Sequence, residues 1–516
     1  MFLLALLLIA GLILNPNLQA DAPAQINAGE QLIVWTAPAV QPGEQRADAT
    51  GQLALLGADG TLTPLFDVPP QSNRVTLCGA NAISGDGRKG VFFMGLDGFN
   101  GGELFMVTEG GTPVKFDGVF ENRGYGFQFL GCQGGNGRLS FTPDNQRLIF
   151  MAYERDARQS TFADGYLRVI NANDLSEQYL KDNVVAYTLN NTKLAFVQFF
   201  TDDRNRADEV AVFTWDGSKE TEIASFSRPE ETCEYTSAYT KFDPQDGLWL
   251  ILGERCRELV WQLYKLDPAN RSAELKLTAT PRGGMKPFVE TNNLLFSPDG
   301  SLLFYTLADG VTNETVSLYG VPVADMSAPK ELIPRDGRFP SYSEGKLGGE
   351  NTFPRISPNG EWLAVVVEKP TRESSLYLIN LTSLDVPPIV IPAGSRGDTI
   401  AYVEFLPDAS GVVFIAGGSN PGDDNSIFVV ALEQGAQAER VLRGKFSWGA
   451  RLSPDGTRLG VAEWQVQPEG VLGPDFLNFV VINLADASRT TLFTGATVTD
   501  GKVSESIRFV FPLWWR

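Results

Sequence analysis

No histidine occurs anywhere in this chain of 516 residues. The commonest general base and the commonest metal ligand are therefore missing. A Ser-His-Asp or Cys-His machine cannot be assembled, nor can a histidine-ligated zinc site. What remains for chemistry is mostly carboxylate, with 62 Asp and Glu against 42 Lys and Arg. Two carboxylates facing one pocket would suit a glycoside hydrolase or a lyase, and neither needs histidine. Their abundance alone does not pick out such a pair. One loop, 202–209, places side-chain oxygens at a calcium-like alternation, with Asp203, Asn205 and Asp208 as candidate ligands. It lacks the central Gly and distal Glu of an EF-hand loop and carries Arg204 and Arg206, so a solvated polar loop competes with a calcium site. No other cofactor is indicated. Asn190, Asn270, Asn313 and Asn380 stand in glycosylation sequons, and Arg396-Gly397-Asp398 forms an integrin-type triplet in a loop.

The elements that must position any such residues are set out by a recurring turn. Ser297-Pro298-Asp299-Gly300 follows an apolar residue and precedes Leu302-Leu303-Phe304-Tyr305. The arrangement recurs at Ser357-Pro358-Asn359-Gly360 and Ser453-Pro454-Asp455-Gly456. Weaker copies stand at Ser84-Gly85-Asp86-Gly87, Thr142-Pro143-Asp144-Asn145, Leu189-Asn190-Asn191-Thr192, Asp243-Pro244-Gln245-Asp246 and Leu406-Pro407-Asp408-Ala409. Ser, Pro, Asp and Gly in that order suit a type I turn and its exit. These are structural turns, not sites. The run after each turn is almost wholly apolar, as in Leu363-Ala364-Val365-Val366, and reads as a strand buried on both faces. A third strand follows a variable loop, and a more polar fourth strand, such as Glu274-Leu275-Lys276-Leu277, protects the outer edge. A strand unit repeated at about 40–50 residues marks a β-propeller.

The expected fold is all-β: a single large β-propeller of four-stranded blades over 21–516, with eight or nine blades. Gln31–Trp35, Gly51–Leu56 and Thr61–Phe66 read as strands two to four of a blade whose first strand is Ser506–Phe511. Both termini would then share one closing blade. Trp514 and Trp515 would either pack in the core or form a docking patch.

The phrases Phe296-Ser297-Pro298-Asp299-Gly300, Ile356-Ser357-Pro358-Asn359-Gly360 and Leu452-Ser453-Pro454-Asp455-Gly456 resemble the Pro-Asp propeller repeats of TolB-like proteins. They also resemble the propeller domain of prolyl-oligopeptidase-type peptidases. The resemblance covers most of residues 75–494 and implies a fold without an activity. The catalytic Gly-x-Ser-x-Gly elbow and histidine of the peptidases are absent.

In a propeller the Pro-Asp turns lie at one face and the longer connections at the other. The long set here includes 154–164, 201–208, 335–350, 417–425 and 465–475. Loops on a rigid scaffold carry function, so a ligand is expected there. Four cysteines allow three pairings. The blade register favours Cys78–Cys132 and Cys233–Cys256, both at the long-loop face.

The apolar run Phe2–Leu14 followed by Asn15–Ala20 reads as a signal peptide over 1–20, or as a short N-terminal anchor. The run is short for a span, which takes about 20 residues. Export to a periplasm, cell surface or medium agrees with paired cysteines. The net charge of −20 opposes nucleic-acid binding. Membrane contact is expected only if the N-terminal segment is retained. Together these readings favour a secreted or cell-surface scaffold that binds a protein or glycan. The alternatives are a structural subunit of a surface layer or membrane-associated complex, and a carboxylate-based hydrolase or lyase.

Overall fold

The repeated turn is closed by its own first and third residues. In a computed structural model, the Ser297 hydroxyl donates to Asp299 Oδ1 (2.6 Å) and accepts the Leu302 N–H (2.9 Å). The same two bonds form at Ser84, Thr142, Ser357 and Ser453. Asp243 replaces the hydroxyl in its turn, accepting the Gly247 N–H (2.7 Å) and the Trp249 indole N–H (2.9 Å). Each strong copy ends in a left-handed residue: Gly300, Gly360 and Gly456 have φ of +69°, +78° and +73°. Asn145, Asp246 and Ala409 hold the same place in weaker copies, with φ of 58°, 63° and 57°.

The structure describes residues 27, 30, 32–38, 51–68, 72–77, 84–86, 88–96, 102–108, 114–115, 127–128, 139–154, 165–202, 206–257, 259–279, 295–308, 316–337, 354–368, 373–394, 398–418, 423–465, 476–495, 498–499, 502–503 and 507–515. Strands and turns account for the ordered elements among them, and no helix is present among the described residues. The strands assemble as four-stranded antiparallel units in chain order, the form of propeller blades.

Sheets A to F form one compact unit, Val68–Ile400. Sheet A holds Ser72–Leu77, Lys89–Leu96, Gly102–Thr108 and Val114–Lys115. Sheet B holds Phe127–Gln128 with Ser140–Phe141, then Arg147–Glu154, Gly165–Asn171 and Glu177–Lys181. Sheet C is Val184–Leu189, Leu194–Thr201, Ala207–Trp215 and Glu220–Ser227. Sheet D is Glu234–Phe242, Leu248–Arg255, Leu259–Asp267 and Ser272–Ala279. Sheets C and D are linked by the pairing of Ala207 with Tyr235. Sheet E holds Leu295–Phe296, Leu302–Ala308, Val316–Pro322 and Lys330–Gly337. Sheet F holds Arg355–Ile356, Trp362–Glu368, Ser374–Asn380 and Ile389–Pro392.

The second unit joins Met1–Asp67 to Ala401–Arg516. Sheet G is Thr399–Phe405, Gly411–Gly417, Asn425–Ala431 and Glu439–Gly444. Sheet H is Phe446–Leu452, Arg458–Gln465, Phe476–Asn483 and Arg489–Phe493. A closing sheet takes its first strand, Ile507–Trp515, from the end of the chain, and its others, Leu32–Pro38, Gly51–Leu56 and Leu62–Val68, from the beginning. The shared sheet expected from sequence is therefore present. Its terminal strand runs on to Trp515, which pairs with Leu32.

Burial follows strand position. The second strands Leu194–Thr201, Trp362–Glu368 and Gly411–Gly417 are buried over six or more consecutive residues, and the outer strands Glu177–Lys181 and Ser272–Ala279 are largely exposed. The core lies between successive sheets. Ile149, Met151 and Val169 of sheet B pack on Phe196 and Trp215 of sheet C. Phe304 and Leu318 of sheet E meet Val365 and Tyr377 of sheet F. In the other unit, Val413 and Ile427 of sheet G meet Phe446, Val461 and Val480 of sheet H, while Phe479 of sheet H meets Leu32, Val34 and Trp515 of the closing sheet. Burying one such aromatic or aliphatic side chain contributes about 1.5–3 kcal/mol.

The turns also lean on one another. The Gly85 N–H donates to Asn145 Oδ1 (2.7 Å), Asn190 Nδ2 to Asp246 Oδ1 (3.0 Å), and Gln245 Nε2 to the Asp299 carbonyl (2.7 Å). A Cβ at Gly360 would fall 3.0 Å from Pro298, and one at Gly456 only 2.4 Å from Pro407. The proline of one turn thus needs the glycine of the next.

Candidate functional site

Because strands alternate in direction, each Pro-Asp turn sits at one end of its sheet and the longer connections at the other. The best described long-loop end belongs to sheets C and D. There Cys233, just before strand Glu234–Phe242, is bonded to Cys256, just after strand Leu248–Arg255. Glu234 pairs with Arg255 in the ladder, so the bridge is the next cross-strand rung. Cys233 is fully buried, while Cys256 stands at the surface. Glu254 Oε1 lies 3.1 Å from Cys256 Sγ. A disulfide sulfur has no proton to give, so the hydrogen-bonding form of this contact is the protonated carboxyl. Burial pushes the Glu254 pKa up, in the same direction. Tyr235 donates to the Ser227 carbonyl (2.9 Å), and burial first, then the Glu254 charge, raises the pKa of its phenol.

The neighbouring connection in sheet C is closed by ion pairs. Asp202 Oδ2 accepts from Arg206 Nη2 (2.8 Å) and Arg228 Nη1 (3.0 Å), and Asp202 Oδ1 accepts the Arg206 N–H (3.0 Å). The Arg228 N–H donates to the Asp208 carbonyl (2.9 Å). Arg206, which as a sequence argued against a cation in this loop, serves as an internal counter-ion. Asp208 lies in strand Ala207–Trp215, whereas Asp203 and Asn205 lie outside the described residues.

Other carboxylates at long-loop ends are similarly engaged. Glu463 accepts from Arg489 Nη1 (2.7 Å) and from Gln465 Nε2 (3.2 Å), and Glu234 accepts from Arg255 (3.2 Å). These contacts tie strands of the same sheet to each other.

Of the expected pairings, Cys233–Cys256 is present, whereas Cys78 and Cys132 lie outside the described residues. So do residues 1–26, Asn313 and most of the five long connections. The sequon side chains that are described serve in turns. Asn190 accepts the Thr192 and Lys193 N–H groups, Asn380 accepts from Thr382, and Asn270 donates to Asp267. Trp515 is a core residue, and its indole N–H reaches Glu30 (3.1 Å).

Sequence reading missed the Asp202–Arg228 pair. Twenty-six positions separate its members, and no periodic signal connects them. It missed Glu30 for the same reason.

No family model matches the chain, and no curated protein matches it. Solved structures with a similar fold include a prolyl endopeptidase at 13% identity and a TM-score of 0.43, covering 80% of this chain. The chain spans 55% of the length of that endopeptidase. A dihydro-heme d1 dehydrogenase is similar at 11% identity and a TM-score of 0.43, over 89% of this chain and 72% of its own. An oligogalacturonate lyase from Vibrio parahaemolyticus is similar at 15% identity and a TM-score of 0.37, over 67% and 90%. At such identities these likenesses concern the fold alone and carry no chemistry to this chain.

Proposed function

We propose that this protein is an exported β-propeller-type scaffold that binds a protein or glycan partner through the long connections of its blades. The observation that carries this reading is the contrast between the two ends of each sheet. Turn ends are short, sealed by hydroxyl–carboxylate bonds and packed against one another. At sheets C and D the long-loop ends are anchored at their bases by the Cys233–Cys256 bridge and the Asp202–Arg206–Arg228 network. A rigid base under a variable loop is what a binding surface requires.

The disulfide and the apolar run Phe2–Leu14 support export to an oxidising compartment. A second reading, a surface subunit tethered by its N-terminal segment, is favoured by one further observation. Asn27 and Glu30 precede the closing sheet at its turn end, beside Trp515 and the Ser453–Gly456 turn. A tether leaving there would keep the long-loop ends of that unit clear. The carboxylate-enzyme reading has less support, because Asp202, Glu234 and Glu463 are engaged by guanidiniums.

Sequencing the mature N-terminus separates the first two readings: Asp21 at the start supports release, and Met1 supports tethering. A glycan array and envelope-protein overlay then test binding. Turn-end variants are expected to keep the signal and long-loop variants to lose it.

A further inference from the structure

The Cys233–Cys256 bridge has a third potential ligand beside it. Glu254 and Cys256 stand two apart at the end of strand Leu248–Arg255, and residues two apart on a strand share a face. Cys233 lies across the ladder, one rung beyond the Glu234–Arg255 pair. The two sulfurs and a Glu254 carboxylate oxygen all lie within 4.8 Å of one another. Glu254 Oε1 itself is 3.1 Å from Cys256 Sγ.

The groups around this carboxylate are committed elsewhere. Arg255 turns to Glu234 (3.2 Å), Tyr235 donates to the Ser227 carbonyl (2.9 Å), and Tyr264 donates to Gln262 (2.9 Å). Among the described residues no ion pair engages Glu254. The carboxylate of this half-buried residue thus faces the two sulfurs without a cation of its own.

We infer that Cys233, Glu254 and Cys256 form a zinc site in the reduced chain, opened and closed by thiol–disulfide exchange. Cys256 reaches the surface while Cys233 is buried, so a small-molecule or protein-borne dithiol attacks at Cys256 Sγ. Its thiolate breaks the S–S bond, forms a mixed disulfide with Cys256 and expels Cys233 as the leaving thiolate. The second sulfur of the reductant then displaces Cys256. The reductant ends as a disulfide, having given two electrons, and two protons come to rest on the protein thiols. Zinc(II) displaces those protons to solvent and takes two thiolates and one carboxylate, with water in the fourth tetrahedral position. Zn–S bonds of about 2.3 Å place tetrahedral sulfurs about 3.8 Å apart. Cys256, past the end of its strand, is free to turn by that much once the bridge opens. Thiolate ligands favour zinc over calcium or magnesium. Reoxidation expels the metal. The site does not depend on the binding-scaffold reading.

The test uses the full chain, reduced with dithiothreitol and freed of it without air, and titrated with cobalt(II) chloride. A saturable one-to-one thiolate-to-cobalt charge-transfer band is expected in the reduced chain and none in the oxidised chain. Zinc chloride should bleach the band and shield Cys256 from iodoacetamide in peptide maps. Loss of an outer-shell partner already costs about 10–100-fold in metal affinity, so Glu254→Gln should weaken binding about tenfold or more. Circular dichroism follows the fold throughout. No band in the reduced chain would overturn the site, and so would loss of the β signal on reduction, since the ladder must hold the ligands. Shielding confined to Cys78 or Cys132, or an affinity unchanged by Glu254→Gln, would overturn it as well.

Discussion

Arg458 and Glu30 stand 428 positions apart in the chain, yet Arg458 Nη2 lies 2.7 Å from Glu30 Oε1. Both side chains are mostly buried, and the same guanidinium reaches Asp455 and lies over the Trp515 ring. The Glu30 carboxylate also accepts from the Asn27 N–H, Asn27 Nδ2 and the Trp515 indole. One arginine of sheet H thus ties together the two chain ends that make the closing sheet. Arg458→Met is expected to destabilise the protein by about 3 kcal/mol, because it leaves the Glu30 charge without its counter-ion. In the double variant with Glu30→Gln, the combined loss should fall short of the sum by about 1 kcal/mol or more. Denaturant titration with the closing-sheet tryptophans as reporter measures both.

The turn copies differ in backbone cost. Ala409 holds a φ of 57° where the strong copies use glycine. A left-handed alanine costs about 1–2 kcal/mol, so Ala409→Gly is expected to stabilise by about 1 kcal/mol. Gly456→Ala should do the reverse and by more, since its new Cβ would also strike Pro407. Opposite signs in thermal denaturation check this pair.

The Ser297 hydroxyl bond, followed by the Ser301 N–H, holds the Asp299 pKa below its usual value, and Ser84 and Thr142 act likewise on Asp86 and Asp144. A carboxylate with a lowered folded-state pKa lends stability above its unfolded value, near 3.8, and that stability is lost as pH falls through the folded value. Ser297→Ala should therefore move the Asp299 titration upward in carboxyl-detected NMR and reduce the acid-limb slope of stability. An unmoved Asp299 would contradict the assignment.

Glu254 behaves oppositely. Burial raises its pKa above 4.5, so the folded state favours its neutral form and stability falls as pH rises from that value through the folded pKa. Glu254→Gln is expected to flatten this segment of the pH–stability curve. Reducing the neighbouring bridge, which closes 23 residues, should cost about 3 kcal/mol.

Much of this architecture was legible because it is periodic. The Ser-Pro-Asp-Gly phrases located the turns, and the unbroken apolar runs after them located the doubly buried strands, as Gly411–Gly417 shows. The closing sheet was legible because its missing first strand could be sought at the other end of the chain. What escaped notice depends on single residues. Glu30 stands in an unpatterned stretch, and its role exists only once Arg458 and Trp515 meet it. Asn425 reads as one more polar loop residue, because burial between two sheets is a tertiary fact. The link of Ala207 to Tyr235 joins sheets C and D through one ladder position and leaves no mark on composition.

The central claim is that binding resides at the long-loop ends and not at the Pro-Asp turns. The most direct measurement compares partner binding by two sets of variants of the mature chain. One set replaces exposed turn-end side chains such as Asp86, Asp299 and Asp408, and the other exposed long-loop side chains such as Glu231 and Arg257. Surface plasmon resonance against the glycan or envelope protein selected by the array and overlay reads both. The account expects turn-end variants to bind within about twofold of the parent and long-loop variants to lose about tenfold or more, on the order of 1.4 kcal/mol. Loss confined to the turn-end set would contradict it.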